Sequence, residues 1–416
     1  MLRRTRKLRL TSRDRKRKPE YHAGKLGAVT LLVTMMLSTT TAMMPQTAKE
    51  QSISTQELKE KAGAAREQGD SQASLKLYER ALARSPSWQE GWWYYGSLLY
   101  DADSYGRAAA AFGKLVQLND KLGNAWSMLG LSEFEVHDYD KALNDLQNAE
   151  RIGPGESLQN IADYHLAVLL NQHGDSDGAL LLLSSLYVKG VRSEDLQVAL
   201  GLALLRVPIF PSQLDPSRDA LIHDAGSLAA LMANKQIEKA DISFREMLLQ
   251  YPKVQFLHYA YGGMLASEGH DAEAEAQFKA ETDMNPDSAV AYLEWSFLCM
   301  KAKDYPEAAR LARHAAELNE ESFLAHYILG NSLLSSGDPK AARPELEMAE
   351  KLAPGAPDIR YSLSRTYARL GEDALAKREQ AEFLTLQRKN AMDRLELQKR
   401  FPGAPAITGI RPITPQ

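Results

Sequence analysis

Residues 89–122 read QEGWWYYGSLLYDADSYGRAAAAFGKLVQLNDKL and residues 123–156 read GNAWSMLGLSEFEVHDYDKALNDLQNAERIGPGE. Laid one above the other, the two stretches match: Trp92 over Trp126, Gly96 over Gly130, Ala108 over Ala142, Phe112 over Leu146. Landmark prolines carry the same grid along the chain. Pro86 and Pro154 are 68 residues apart, Pro252 and Pro286 are 34 apart, and Pro286 and Pro354 are again 68 apart. A fixed period of this length means stacked supersecondary units, not one globular core, and it directs function toward a surface instead of a catalytic pocket.

With position 32 of each unit placed on the landmark proline, the apolar residues fall into two helical stretches per unit. Small residues recur at positions 8 and 20, where two antiparallel helices approach closely. Large ones recur at positions 4, 7, 11 and 24, where they fill the seam. Gly69-Asp70 marks the turn between the helices of the first unit, and the proline ends each unit. The unit 55–88 carries Leu58, Ala62, Ser74, Tyr78 and Ala81 at these places. The same register returns in 221–254, 255–288, 289–322 and 323–356, and a last helical pair over 357–401 reads as a cap. The pattern W-x2-L-G-x2-Y, then A-x3-F, then A-x4-P, stands almost intact in 89–156. On these residues the chain resembles the tetratricopeptide repeat family, which implies an all-α fold, an α-solenoid of antiparallel helix pairs.

The interval from Pro154 to Pro252 is 98 residues, four short of three units, so the middle is irregular. A unit fits 160–191 and an extra helix fits 197–206. The stretch 207–216, VPIFPSQLDP, holds three prolines and cannot be continuous helix. The expected organisation is therefore a leader over 1–48, an N-terminal repeat block over 49–206 and a proline-rich connector over 207–220. A C-terminal repeat block over 221–401 and a Pro/Gly-rich tail over 402–416, expected to be disordered, complete it. Pro344 falls at position 22, inside a second helix, and predicts a kink or a late helix start there.

Charge is asymmetric. Residues 1–25 hold eleven Lys/Arg against Asp14 and Glu20, a net +9, and residues 26–48 carry none. With −4 overall, the remainder is −13, which argues against nonspecific nucleic-acid binding. A basic segment followed by the apolar run Leu26–Leu37 and small residues up to Ala42 matches a secretory signal peptide. The rival reading is an uncleaved anchor using residues 26–44; a basic nucleic-acid-binding arm is the third. Both export readings keep the N-terminus inside and send the body out. They point to a periplasmic or secreted protein, or one tethered to the inner membrane, and the family resemblance with a leader suggests a bacterial source.

Catalytic signatures are missing: no glycine-rich phosphate loop, no HExxH, no GxSxG. No cofactor or metal is implied. Cys299, the single cysteine, stands at position 11 and reads as a core residue; His258 and His326 stand at position 4 and read as seam residues. In the family the resemblance implies, positions 2, 5, 9 and 12 of the first helix line a concave surface. Carried over, they give a partner-binding groove of Trp93, Tyr100, Asn124, Phe134, Phe256, Tyr259, Phe297, Tyr327, Asn331, Tyr361 and Arg365. Ser127 falls on the same set. Such aromatic rows suit a helix or an extended segment of a partner protein. The competing reading is that individual rings pack against neighbouring units. The family's carboxylate clamp is not rebuilt: Lys59 faces Gly63 and Trp93 where the clamp needs Asn and Lys. The expected function is a noncatalytic, exported protein-interaction scaffold. A cell-envelope assembly factor is the alternative, and a repeat-bearing enzyme a minor one.

Overall fold

The structure, a computed structural model, describes residues 53–400, with side chains to residue 392. The leader 1–48, the 26–44 stretch and the tail 402–416 lie outside the described residues. Among these, α-helices follow one another in consecutive pairs, and the architecture is a helical-repeat solenoid of the tetratricopeptide type. Two compact units divide between Ala233 and Asn234.

In the first unit, α1 (Thr55–Glu67) pairs with α2 (Ser71–Arg84), α3 (Gln89–Asp101) with α4 (Tyr105–Leu118), and α5 (Gly123–Glu135) with α6 (Tyr139–Ile152). Then α7 (Glu156–Gln172) pairs with α8 (Ser176–Val188), and α9 (Glu194–Leu204) with α10 (Asp219–Ala233). The second unit holds α11 (Ile237–Gln250), then α12 (Leu257–Ser267) with α13 (Asp271–Met284) and α14 (Ala289–Lys301) with α15 (Tyr305–Leu318). The pairs α16 (Phe323–Ser335) with α17 (Pro339–Leu352), and α18 (Pro357–Leu370) with α19 (Asp373–Arg400), complete it.

The position-8 glycines explain the close helix approach. A Cβ on Gly96 would sit 2.9 Å from the Phe112 ring, and one on Gly130 would sit 2.8 Å from Leu146. Gly262 repeats this against Phe278, and Gly330 against Leu346. Each large residue at position 24 therefore fills the space left by a missing side chain at position 8, as the register predicts. Where serine replaces one of the small residues, its hydroxyl is used: Ser74 Oγ donates to the Ala62 carbonyl at 3.0 Å, and Ser364 Oγ to the Ala376 carbonyl at 3.0 Å.

The turn between paired helices has one recurrent backbone state. Position 15 is left-handed in each of these turns, filled by Gly69, Gly269, Gly337 and Gly371 but also by Asp103, His137 and Lys303; Lys235, at the division between the two units, shares it. Successive repeats are tied at position 4. The indole N–H of Trp92 donates to the Pro86 carbonyl at 2.7 Å, and that of Trp126 donates to the Asp120 carbonyl at 2.8 Å. His326 approaches the Glu320 carbonyl at 3.2 Å in the same way. Each of these residues reaches six positions back to a carbonyl at position 32 of the preceding repeat.

The irregular middle takes a form the grid does not give. The extra helix begins at Glu194 and pairs with α10, backbone on backbone: a Cβ on Gly201 would lie 2.0 Å from the Ile222 carbonyl oxygen, and one on Gly226 2.1 Å from that of Gln197. Residues 205–218 between these helices are irregular apart from two short 3-10 turns, Pro211–Gln213 and Pro216–Arg218. The division between the two units falls after α10, beyond the 207–220 connector. Pro344 causes no late start: α17 begins at Pro339 behind the Asp338 cap and runs through Pro344. The carbonyl it leaves without an N–H donor belongs to Lys340, an exposed residue that water reaches.

Candidate functional site: the row of first helices

Along most of the first unit the first helices of neighbouring pairs touch one another: α3 meets α5, α5 meets α7, and α7 meets α9. In the second unit α14 meets α16, and α16 meets α18. At the end of the first unit the second helices α8 and α10 also touch. The proposed groove residues stand on the first helices of each unit: on α3 and α5 in the first, and on α14, α16 and α18 in the second, with Phe256 and Tyr259 at the start of α12.

In the first unit, Trp93 and Tyr100 are half-buried. Each uses an edge against its own repeat's second helix: Trp93 on Phe112 with centroids 5.7 Å apart, Tyr100 on Tyr105 at 5.1 Å. Burial raises the Tyr100 phenol well above its ordinary range, and the Glu135 carboxylate adds to the shift, so it is a neutral hydrogen-bonding group. Asn124 and Phe134 are half-buried on α5. Phe134 is the centre of a ring cluster, 5.4 Å from Tyr139, 4.8 Å from His165 and 5.7 Å from Phe210.

In the second unit, Phe256 and Tyr259 meet edge to face at 6.5 Å, and Tyr259 leans on Phe278 at 6.1 Å. Their backbone is fixed by Glu281, a fully buried carboxylate that accepts from Phe256 N at 2.7 Å and from Tyr259 N at 3.3 Å. Phe256 is left-handed and offers no side-chain cap, so this carboxylate starts α12 and complements its N-terminal partial charge. Phe297 is half-buried against the cluster that contains Tyr327 and Ile328.

Tyr327 and Asn331 are buried and serve the joint between repeats. Asn331 Nδ2 donates to the Tyr327 carbonyl at 3.0 Å, and Asn331 Oδ1 accepts from Ser362 Oγ of the next first helix at 2.9 Å. The two thus behave as the packing reading expects of individual groove positions. Ser127 is buried too, its hydroxyl donating to the Gly123 carbonyl at 3.0 Å. Tyr361, 40% exposed, tilts against Phe383 of the last helix at 5.5 Å, and the Arg365 guanidinium lies 5.7 Å from its ring centre.

Three residues outside the proposed set shape the row. Glu281 stands at position 27, where Ala81, Ala149, Ala315 and Ala349 stand elsewhere, and the register alone flags it. Glu133 stands at position 11, the place of Leu99 and Cys299. Its carboxyl is pushed up to about 8, first by burial and then by the hydrogen bond and charge of Asp145, and its Oε2 has no hydrogen-bond partner. Phe210, from the connector, carries no register signal at all.

Burial pushes the Cys299 thiol up to about 12, so it is not a thiolate at neutral pH. Among the described residues no group of three or more His, Cys, Asp or Glu is placed to hold a metal ion, and no helix is long and apolar enough to cross a membrane.

Paired helices, glycine-against-bulk seams and inter-repeat ties define a helical-repeat fold similar to the tetratricopeptide repeat. The tetratricopeptide repeat model matches residues 60–121, 127–190, 300–357 and 329–377. Anaphase-promoting complex subunit 3 of Schizosaccharomyces pombe is 25% identical over 144 residues, 35% of this chain. The chain spans only 22% of the length of that relative. Among solved structures, MamA from Desulfovibrio magneticus RS-1 is 17% identical, with a TM-score of 0.38 over 40% of this chain and 94% of that one. A Pseudomonas aeruginosa pilF structure is 18% identical, with a TM-score of 0.36 over 45% of this chain and 93% of that one.

Proposed function

We propose that the chain is a noncatalytic scaffold that holds segments of partner proteins against the aromatic row of its first helices. The observation that supports this is the set of half-buried or exposed rings along that row: Trp93 and Tyr100 in the first unit, Phe256, Tyr259, Phe297 and Tyr361 in the second. A ring anchored by its own repeat and still partly open offers contact area at little cost in side-chain freedom. Tyr327 and Asn331 contribute by fixing the spacing of the helices that carry these rings. The protein works after export, directed by residues 1–48, either released by cleavage after Ala42 or tethered through 26–44.

The test is capture of partners from envelope extracts by the parent chain and by a Trp93→Ala plus Tyr259→Ala variant of unchanged helical circular dichroism. Loss of a captured partner supports the row; unchanged capture assigns binding to another face. N-terminal sequencing of exported protein separates the two leader readings, and a protein found only in the cytoplasm removes both.

A further inference from the structure

The connector is not a passive linker. Residues 207–210 turn back along the first unit and bury Phe210, which is 7% exposed, against Phe134 of α5 and Tyr139 at the start of α6. Its ring lies 4.7 Å from Tyr139 and meets Phe134 edge to face at 5.7 Å, while His165 backs Phe134. Phe210 has φ −74° and ψ 150°, the polyproline conformation, and sits between Pro208 and Pro211. Polar ties hold this strap at its start, among them Val207 N donating to the Leu202 carbonyl at 2.8 Å. Asn171 Nδ2 donates to the Val207 carbonyl at 2.7 Å, with Asn171 Oδ1 oriented by Ser176 Oγ at 2.8 Å. Arg206 pairs with Asp177 at 2.8 Å, and Phe210 N donates to Gln213 Oε1 within the strap itself at 2.9 Å.

Phe134 is one of the positions that the family resemblance implies for partner contact. The strap meets it as a peptide ligand would, with an extended, proline-flanked backbone, one aromatic anchor and no charged side chain from Val207 to Leu214. Short irregular segments held this way open at lower cost than helices. We propose that Phe134 and Tyr139 form a binding site for an extended partner segment carrying an aromatic residue between prolines, and that strap 207–216 is its built-in, displaceable occupant. The proposal rests on the reading of the first-helix row as a segment-binding surface. An internal occupant lowers the apparent affinity of a competing segment by the fraction of time the site is open.

The probe is a fluorescein-labelled peptide VPIFPSQLDP, titrated by anisotropy into the full chain. Phe210→Ala is expected to bind it at least tenfold more tightly than the parent. Adding Tyr139→Ala should reverse the gain, and a peptide with alanine in place of its phenylalanine should not bind. Equal binding by parent and Phe210→Ala, or a gain that survives Tyr139→Ala, overturns the proposal. If Phe210→Ala loses its helical signal, Asn171→Ala serves instead: it frees the Val207 carbonyl and leaves the ring in place. At least threefold tighter binding is expected there, and none overturns the proposal. A flat peptide titration beside intact Trp93-dependent capture removes the strap and leaves the row. Peptide binding that survives loss of Trp93 dependence does the reverse.

Discussion

Lys303 holds a left-handed backbone, φ 64°, at a turn position where four other repeats place glycine. A side chain there costs roughly 1 kcal/mol, and Lys303 is exposed, so little packing offsets the cost. Lys303→Gly is therefore expected to stabilise the second unit by about 1 kcal/mol, read as a higher urea midpoint at unchanged slope. Glu133 acts in the opposite sense. Its folded carboxyl titrates at about 8, above the ordinary value near 4.3, so the folded state keeps a proton that the unfolded chain has released. Stability from this site is present below about pH 4.3 and declines as pH rises toward about 8. Asp145, raised by its own burial, adds in the same direction. Glu133→Gln, which imitates the protonated form, should flatten this dependence and stabilise the protein at pH 8.5 by about 1–3 kcal/mol. Denaturation at pH 5.5 and 8.5 on both proteins measures it.

Among the elements, α12 shows how a local rule gives way to a tertiary contact. Its first turn has a left-handed phenylalanine where a serine or aspartate cap would stand, and the buried Glu281 carboxylate supplies the missing acceptor from the partner helix. Glu281→Ala restores the residue most repeats carry there but strands the Phe256 N–H. A loss of about 1–3 kcal/mol is expected, with faster amide exchange in residues 256–260 than in the rest of the second unit. The helix pairs themselves were legible in the sequence. Gly96 against Phe112 and Gly330 against Leu346 follow from spacing alone, because one period fixes both partners. The ring cluster at Phe134 was legible only in half. Phe210 reaches it from a proline-rich stretch whose path depends on Asn171 and Arg206, and no period encodes such a contact. Tyr327 and Asn331 fall on the right face by register, yet their burial depends on Ser362 one repeat away, which a residue's own position does not report.

At the scale of the whole molecule, each unit has its own interior. The first closes on the Gly201–Gly226 crossing of α9 and α10; the second closes on α19, where Arg360 bridges Glu350 and the buried Glu379 at 2.8 Å each. A fragment of residues 53–233 is expected to be helical and to unfold in one cooperative transition by circular dichroism and near-ultraviolet signals together. Repeat arrays bring function to a surface, and the proposal places it on the aromatic first helices. A photo-crosslinking amino acid placed in the living source cell at position 93 or 259 of the full chain, and in parallel at the exposed second-helix position 114, tests this most directly. Partner adducts are expected from 93 and 259 and none from 114; adducts from 114 alone would place binding on the second helices instead.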